Sequence, residues 1–483
     1  MTEAFLTLDL GTTRFKVALF DREGHLLLQV AERHKDYVIG RDRWQSADEW
    51  WNTAIQLIGE IQKTWRSANS GNLRILACSL SGRAGAGVFL DNTGKVICQP
   101  WSDNRHSAQL RAILDTNRSK QKAIPLYAAT LAAKLLWARE NQSQMAKQTR
   151  HLLYAKDFLL YRLTGKTLTD WSSGPDSPIW PEEVLNSLGD DGNLLPVPAL
   201  PWQIAGEISA HAASQTGLQA GIPVVVGAHD GICANTGAGA ITPGQYALTL
   251  GTHAVVRTVC SAFPAEANRF YSFPPDLHVI GGNALFAGRA LDWFIDNWLS
   301  TNDTDRQTLF AELNQDAGNT PTGANGVRFF PYLGGQIAPV IRQNARAVFT
   351  GLNTHSTRID MYRAVLEGTA CALSEVYGQV KAWTGKPDSI SVTGSGAASS
   401  TWIRIIANLL QEPLRISDGS AEGRGAALFA SLALGYHRTL KDAVSDMVQC
   451  HQIVEPASEL SGNYRNLIDD WRQQNEQLFF SSN

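Results

Sequence analysis

The sequence has few cysteines, and none of them is spaced to form a metal site. Six cysteines occur in 483 residues, far apart and without a Cys-x-x-Cys pair. Such usage is typical of reduced, mostly buried thiols, and it argues against both a disulfide framework and a zinc ribbon. We therefore expect a cytoplasmic protein.

Basic residues are not in excess, and long apolar runs are missing. The chain has 42 Lys and Arg against 45 Asp and Glu, so its formal net charge is −3. Nucleic acids and acidic membranes select basic surfaces. No stretch approaches the roughly 18 apolar residues of a membrane helix, and the N-terminus has no export-signal pattern. We expect neither a nucleic acid nor a membrane as a partner.

A third absence concerns nucleotide binding. The sequence has no Gly-x-x-x-x-Gly-Lys-Ser/Thr motif, which excludes a P-loop enzyme. Hydrophobic residues make up 44% of the chain and charged residues 18%, as in a globular protein. A chain of this length is too long for one ordinary domain.

The stretch that organises the sequence lies at its start. An apolar run ends at Asp9, a Gly11-Thr12-Thr13 turn follows, and a second apolar run continues beyond Lys16. This pattern predicts two strands joined by a hairpin turn. The glycine lets the backbone approach a ligand, and threonine hydroxyls beside exposed amides form an anion nest that suits phosphates. Asp9 would hold Mg²⁺ or its water shell. An ordinary hairpin is the alternative.

The same pattern returns about half-way along the chain. The run 245–250 ends in a Gly251-Thr252 turn, and another apolar run follows. Two halves that open with the same hairpin indicate a duplicated domain pair rather than a short repeat. We place the domains at residues 1–244 and 245–483, because turn residues cluster at 241–244. The nucleotide would bind between them.

Further loops follow predicted buried strands. The strand at 73–80 leads into the flexible loop 82–87, and the strand that starts at 223 leads to Asp230. Open α/β sheets bind ligands at the carboxyl ends of their strands. A strand, turn and helix start at Gly394-x-Gly396 would pack against an adenosine, although many α/β turns share this pattern. We also predict helices at 44–65, 234–240 and 360–384, and a strand at 326–333.

Together these segments resemble the FGGY family of carbohydrate kinases over essentially the whole chain. Asp9-x-Gly11-Thr12-Thr13-x-x-Lys16 resembles the family's first phosphate motif, Gly251-Thr252 the second, and Gly394-x-Gly396-Ala397 the adenosine motif. The most specific match is the C-terminal signature, from Ala347 to Glu367, whereas the N-terminal signature around Lys134 is degraded at Leu131. The resemblance implies an α/β fold of two actin-like (ribonuclease H-like) ATPase domains with a nucleotide and sugar cleft between them.

The resemblance also implies an ATP-dependent, Mg²⁺-requiring kinase that phosphorylates a hydroxyl of a small sugar. It makes Asp230 the general base; a cap of the following helix is the alternative. Sugar contacts are expected from Arg83, Ala84, Trp101, Asp103 and Asp230, with a structural Asp103–Arg105 salt bridge as the alternative. Metal contacts are expected from Asp9 and Asp230, and ATP contacts from Gly11, Thr12, Thr13, Lys16, Gly251, Thr252, Gly288, Gly394, Gly396, Ala397 and Ser400. We assign no role to His229 or His253.

The sequence departs from the family pattern in the sugar loop. Xylulose kinases carry Gly-Gln-Met-His-Gly where residues 82–86 read Gly-Arg-Ala-Gly-Ala, and Gly231 follows the base where Asn or Gln is common. Arg83 would face an acidic sugar or a polyol, or point to solvent. We expect a ketopentose such as xylulose first, with gluconate and glycerol or another polyol as alternatives. A non-catalytic actin-fold ATPase and a sugar sensor are alternatives of another class, and a homodimer is left open.

Overall fold

The computed structural model describes residues 1–68, 72–115, 125–262, 264, 269–273, 276–299, 305–417 and 420–479. The strands in these residues are β1 (Thr2–Leu10), β2 (Arg14–Phe20), β3 (Leu26–Arg33), β4 (Tyr37–Ile39), β5 (Asp42–Trp44), β6 (Leu73–Gly82), β7 (Val88–Leu90), β8 (Val96–Cys98), β9 (His151–Leu153), β10 (Leu168–Asp170), β11 (Val197–Ala199), β12 (Ile204–Glu207), β13 (Pro223–His229), β14 (Gln245–Leu250), β15 (Ala254–Cys260), β16 (Arg269–Phe273), β17 (Leu277–Ala284), β18 (Arg328–Phe330), β19 (Val348–Thr350), β20 (Ser389–Thr393), β21 (Leu414–Ile416) and β22 (Gln452–Val454).

The α-helices in the same residues are α1 (Ala47–Ala68), α2 (Ser107–Asp115), α3 (Leu126–Asn141), α4 (Ser143–Gln148), α5 (Ala155–Thr164), α6 (Glu182–Leu188), α7 (Ala210–Thr216), α8 (Asp230–Gly237), α9 (Gly288–Phe294), α10 (Arg306–Asn319), α11 (Arg358–Thr384), α12 (Ser400–Leu410), α13 (Ala421–Ala433), α14 (Leu440–Met447) and α15 (Ser461–Phe479). None of the helices in these described ranges is long and apolar enough to cross a membrane.

The first compact unit comprises Met1–Gly237, Tyr271–His278 and Glu422–Val448. Its main sheet has the strand order β12-β13-β6-β1-β2-β3. β1 pairs antiparallel with β2 and parallel with β6, and β6 pairs parallel with β13. The helix α1 packs on this sheet because Trp50, Ile58 and Ile61 repeat at helical spacing and are buried. Burial of each such side chain stabilises the fold by about 1.5–3 kcal/mol.

The second unit comprises Ala238–Phe270, Val279–Ala421 and Gln449–Asn483. The second large sheet has the strand order β16-β17-β15-β14-β20-β21-β22. β14 pairs antiparallel with β15 and parallel with β20. The long helix α11 starts at a capping box, in which Thr357 and Asp360 bond each other's backbone amides, and buries Val365 and Leu366 in the core of this unit.

The two sheets share one topology. Each has an antiparallel hairpin, followed by a strand that pairs in parallel with the first strand of the hairpin and by a further parallel strand beyond it: β2-β1-β6-β13 and β15-β14-β20-β21. Both predicted hairpins are confirmed at β1–β2 and β14–β15. The domain boundary near residue 244 stays a prediction; the first unit also includes the C-terminal segment Glu422–Val448.

Several predicted elements have different bounds in the structure. The helix predicted at 44–65 is α1, Ala47–Ala68, because Trp44 pairs with Tyr37 at the end of β5, and the helix predicted at 360–384 starts at Arg358, after its cap. The helix predicted at 234–240 starts earlier, at Asp230, because an acidic residue in the first turn favours the positive end of the helix dipole. The strand predicted at 326–333 is limited to Arg328–Phe330, since a 3-10 turn at Ala324–Gly326 precedes it and Tyr332 bonds back to the carbonyl of Phe330.

Candidate active site

The candidate site of the first unit lies at the carboxyl ends of three neighbouring strands. β1 ends one residue after Asp9, β6 ends at Gly82, and β13 ends at His229, next to Asp230. The registers pair Asp9 with Ser81, and Gly82 with His229. Parallel pairing therefore brings together the predicted metal ligand, the predicted sugar loop and the predicted base at one sheet edge.

Asp9 is a buried carboxylate with two polar partners. Its side chain accepts a hydrogen bond of 2.7 Å from the hydroxyl of Ser81 and lies 3.3 Å from the ammonium of Lys16. Burial raises the pKa of Asp9 to about 6; Lys16 opposes this shift, while the negative charges of Glu422 and Asp230 add to it. A carboxylate that is crowded by two other acids is suited to receive a cation.

Lys16 is held between two acids. Its ammonium lies 3.2 Å from Glu422 and 3.3 Å from Asp9. Burial alone would lower the pKa of Lys16, but the two carboxylates outweigh it and raise the pKa. Glu422 was not among the predicted site residues; it lies in the first turn of α13 and is 406 residues away from Lys16. No local pattern signals a pairing over that separation.

In the Gly11–Thr13 turn all three carbonyl groups accept hydrogen bonds, and the two threonine side chains are exposed. His34 bonds the carbonyl of Gly11 through Nε2 at 3.0 Å and that of Thr13 through its backbone amide at 3.0 Å. Gln45 donates to the carbonyl of Thr12 at 3.2 Å. No described residue accepts a hydrogen bond from the amides of Thr12 or Thr13. Amides left in this way, beside two hydroxyls, form an anion nest.

Asp230 begins α8, and its side chain is partly exposed. The neighbouring His229 is buried, and its Nδ1 accepts a hydrogen bond of 2.9 Å from the amide of Gly231 and lies 3.2 Å from Asp230 Oδ1. The imidazole stacks on the ring of Tyr127 at a centroid distance of 5.4 Å and contacts the tilted ring of Tyr271 at 4.5 Å. Neither tyrosine was among the predicted site residues, because their segments are far apart in the chain.

The residue after the predicted base is a glycine for a steric reason. A Cβ atom at Gly231 would lie 1.9 Å from the hydroxyl oxygen of Tyr271. An Asn or Gln at this position, which the resemblance leads us to expect, would therefore clash with Tyr271. This departure from the family pattern is linked to the aromatic pair around His229.

A buried ionic cluster lies beneath the same strand end. The ammonium of Lys156 is 2.6 Å from Asp157 and 2.9 Å from Asp170, and all three side chains are fully buried. Asp170 also accepts a hydrogen bond from the hydroxyl of Ser172, which in turn accepts one of 3.2 Å from the amide of His229. The cluster thus fixes the backbone from which Asp230 projects.

Arg83 is held inside the unit rather than extended into solvent. Its Nη2 donates to the side-chain oxygen of Gln45 at 3.0 Å, and its guanidinium lies 5.2 Å from the centre of the Trp50 ring. Burial lowers the pKa of Arg83 to about 10, while Asp36 and Asp230 oppose the shift. Its neighbour Ala84 is half-buried.

The Trp101–Arg105 stretch forms a packed structure of its own. Trp101 is 3% exposed, stacks on Phe89 and accepts at its carbonyl a 2.6 Å hydrogen bond from Lys134. Asp103 bonds Arg105 at 2.7 Å, the salt bridge that sequence analysis gave as the alternative. Burial would raise the pKa of Asp103, but hydrogen bonds from Arg105 and a backbone amide lower it. Sugar contacts from Trp101 and Asp103 stay predictions.

In the second unit, four of the predicted ATP-binding glycines lie together. Gly288 donates to the carbonyl of Gly251 at 2.9 Å, and a Cβ atom at Gly288 would lie 2.4 Å from that oxygen. A Cβ at Gly394 (φ +92°) would lie 2.4 Å from the carbonyl oxygen of Leu250, and one at Gly396 would meet the same residue. Thr252 and Ser400 are exposed beside them, and Ala397 lies in the 3-10 turn that precedes α12.

Comparison with known proteins identifies this arrangement. The family model for the N-terminal domain of FGGY carbohydrate kinases matches residues 4–237, and that for the C-terminal domain matches residues 247–434. The chain belongs to the FGGY family of carbohydrate kinases. It is therefore a phosphotransferase with an alcohol group as acceptor, and it uses ATP with Mg²⁺.

Several FGGY kinases are similar to this chain over its whole length. A xylulose kinase of Staphylococcus epidermidis is 25% identical over 99% of this chain and 98% of its own. A gluconokinase of Bacillus subtilis is also 25% identical, over 97% of this chain and 94% of its own. The crystal structure of a ligand-bound xylulose kinase from Lactobacillus acidophilus superimposes with a TM-score of 0.84 at 22% identity and covers 99% of both chains. The predicted fold of two actin-like domains is confirmed.

Proposed function

We propose that this FGGY kinase transfers the γ-phosphoryl group of ATP to a hydroxyl of a ketopentose such as xylulose, with Asp230 as the general base. The observation that carries the proposal is the place where the parallel strands end. Asp9 lies near the end of β1, Asp230 follows β13, and the charge of Asp230 helps to raise the pKa of Asp9. Phosphoryl transfer uses one carboxylate as the base for the nucleophile and another as a ligand of the metal ion.

The steps assigned to the first unit's residues are simple. The Asp230 carboxylate accepts the proton of the sugar hydroxyl, whose oxygen attacks the γ-phosphorus as the bond to ADP breaks. The amides and hydroxyls of Thr12 and Thr13 donate to phosphate oxygens. Asp9, with Asp230, fits Mg²⁺ because carboxylate oxygens are its preferred ligands, and the bound ion would screen phosphate charge. Gly11 lets the backbone approach the phosphates closely.

The remaining ATP contacts are proposed with one qualification on Lys16. Backbone groups at the close-packed glycines would face the nucleotide, as only glycine permits so near an approach; these residues are Gly251, Gly288, Gly394 and Gly396, with Thr252, Ala397 and Ser400 beside them. The ammonium of Lys16 is already paired with Asp9 and Glu422, so a contact with phosphate would have to form beside these two ion pairs. We therefore propose that the main role of Lys16 is to hold Asp9, and that a contact with the phosphate is its lesser role.

An aldonate such as gluconate is the second candidate substrate. Arg83 favours it, since a guanidinium fork bonds a carboxylate through two parallel hydrogen bonds. In this structure Nη2 of Arg83 is used by Gln45, whereas the buried Nε has no hydrogen-bond partner among the described residues. Ala84 next to Arg83 leaves room for a ligand longer than a pentulose. A polyol is the third candidate.

The proposal is tested by sugar-dependent ADP release over a panel of pentuloses, aldonates and polyols. We expect the highest kcat/KM with xylulose, and mass spectrometry should detect a product heavier by one phosphoryl group. A higher kcat/KM for gluconate would replace the ketopentose with the aldonate. Release of ADP that no compound in the panel stimulates would contradict the proposed substrate classes.

A further inference from the structure

Gln45 joins two segments that are proposed to bind different substrates. Its side chain, just after β5, is 5% exposed. The amide nitrogen donates to the carbonyl of Thr12 at 3.2 Å and to Asp36 at 2.8 Å. The side-chain oxygen accepts from Nη2 of Arg83 at 3.0 Å and from the indole nitrogen of Trp50 at 3.1 Å. One buried amide therefore connects the phosphate turn with the sugar loop.

The four hydrogen bonds of Gln45 use the whole capacity of its amide. A glutamine side chain offers two N–H donors and two acceptor lone pairs. A buried polar group with every position filled has one favourable orientation, and a displaced partner leaves another partner unpaired. Loss of the bond from Arg83 leaves one acceptor position of the Gln45 amide unfilled.

The bond to Thr12 acts on the adjacent amide through the peptide plane. The carbonyl of Thr12 and the N–H of Thr13 belong to one planar, trans peptide group and point in opposite directions. A hydrogen bond that fixes the carbonyl from inside the unit therefore aims the Thr13 amide the other way. That amide has no acceptor among the described residues. His34 bonds the carbonyls of Gly11 and Thr13, which lie before and after this peptide group.

We propose that Gln45 is a positioning residue that couples Arg83 to the direction of the Thr13 amide. Nucleotide affinity then depends on the side chain of Arg83, which reaches the turn through Gln45. The backbone amide of Arg83 also donates to the carbonyl of Leu10 at 3.1 Å, a bond that substitution of the side chain keeps. The inference rests on the proposed function in so far as Thr13 binds a phosphate. It adds that the state of the sugar loop is communicated to the phosphate turn inside the first unit.

A double-mutant cycle on nucleotide binding tests this coupling. The variants are Arg83→Met, Gln45→Met and the pair, and the probe is the Mg²⁺ complex of a non-hydrolysable ATP analogue, measured by calorimetry without sugar. We expect each single substitution to raise Kd about three- to fivefold, and the pair to be no weaker than Gln45→Met alone. An unchanged Kd in Arg83→Met, or effects that multiply in the pair, would overturn the proposal.

Two further variants separate positioning from a loss of stability. Gln99→Met is the matched control, because Gln99 bonds the amide of Ala47 at the start of α1 but neither the turn nor Arg83. It should lower the urea midpoint without changing Kd. Gln45→Glu keeps the acceptor for Arg83 and loses the donor to Thr12, so it should weaken the nucleotide as Gln45→Met does. It replaces Gln45→Met in the cycle if that variant does not fold.

The outcomes distinguish this inference from the proposed function. Nucleotide binding needs no sugar and no turnover, so a wild type that binds nucleotide but phosphorylates none of the panel contradicts only the proposed substrates. Multiplying effects in the cycle, with normal sugar phosphorylation, contradict only the coupling through Gln45. A wild type that does not bind the nucleotide contradicts both.

Discussion

The hairpins β1–β2 and β14–β15 occupy equivalent places in their sheets, although the first turn is one residue longer, and they carry different chemistry. In each, a residue two places before the glycine of the turn lies between an antiparallel return strand and a parallel neighbour. In the first hairpin this residue is Asp9, which bonds Ser81 and Lys16. In the second it is Thr249, which accepts a hydrogen bond of 2.9 Å from Arg257.

This difference shows which part of the duplicated fold is general and which is specialised. Both turns keep a glycine followed by an exposed threonine, so backbone donors for phosphate are available in both units. The buried acid with a raised pKa belongs to the first turn. The second turn is instead packed against the start of α9, where the amides of Gly288 and Arg289 bond its carbonyls. Acid–base and metal chemistry is therefore assigned to the first unit.

The largest expected effect comes from removing the proposed base of the first unit. Asp230→Asn should lower kcat by about 10²–10⁴-fold, the usual loss for a positioned general base. The nucleotide Kd measured without Mg²⁺ should stay close to that of the wild type, because Asp230 follows β13 rather than the phosphate turn. Stopped assays with the best sugar of the panel measure kcat, and calorimetry measures Kd. Turnover near the wild-type value would remove Asp230 from the chemistry.

A second prediction asks whether sugar recognition also belongs to the first unit. Arg83→Ala should raise the sugar KM by about tenfold, which corresponds to a loss of about 1.4 kcal/mol of binding. The KM for ATP should rise by less, since the side chain of Arg83 reaches the turn through Gln45 and not by direct contact. Initial rates at varied sugar and ATP give both constants. An unchanged sugar KM would take Arg83 out of the pocket and favour an unsubstituted pentulose.

Much of this organisation was predicted from the sequence, and the failures have physical causes. The hairpins at Gly11 and Gly251 were predicted because glycine turns between apolar runs are local signals. The partners Glu422, Tyr127 and Tyr271 were missed because tertiary packing brings them to the site from distant segments. The role of Gln45 was missed for the same reason: a lone glutamine before a helix carries no pattern, and its four bonds exist only once the fold has formed.

The raised pKa of Asp9 predicts that stability depends on pH. The second hairpin has no such contribution, because Thr249 stands at the equivalent position. The pKa in the folded protein, about 6, is above the ordinary value of 3.8, so folding favours the protonated acid. The resulting stability is complete below about pH 3.8 and is lost as the pH rises through 6. The unfolding free energy of the wild type should therefore fall between pH 4.5 and pH 7.5. In Asp9→Asn this fall should be smaller by about 1–3 kcal/mol. Urea unfolding without Mg²⁺ measures this, and an identical pH dependence in both proteins would contradict it.

The smallest effect is expected where the two hairpins are most alike. Thr12→Val and Thr252→Val each remove one exposed hydroxyl and keep the backbone amides, so each should raise the KM for ATP by only about three- to tenfold, the effect of one hydrogen bond. Similar values for the two variants would support equivalent phosphate turns. An effect on the sugar KM alone, with ATP unaffected, would contradict phosphate contact by that threonine.

The assignment of acid chemistry to the first unit is tested most directly by exchanging the residue that distinguishes the hairpins. Asp9→Thr gives the first hairpin the residue of the second, and Thr249→Val is the matched change in the second. Single-turnover phosphoryl transfer is measured while Mg²⁺ is titrated. We predict that Asp9→Thr slows transfer by about 10–100-fold and needs more Mg²⁺, as expected for a lost metal partner, whereas Thr249→Val stays within about threefold of the wild type. Equal effects of the two substitutions, or an unchanged Mg²⁺ requirement in Asp9→Thr, would contradict the account.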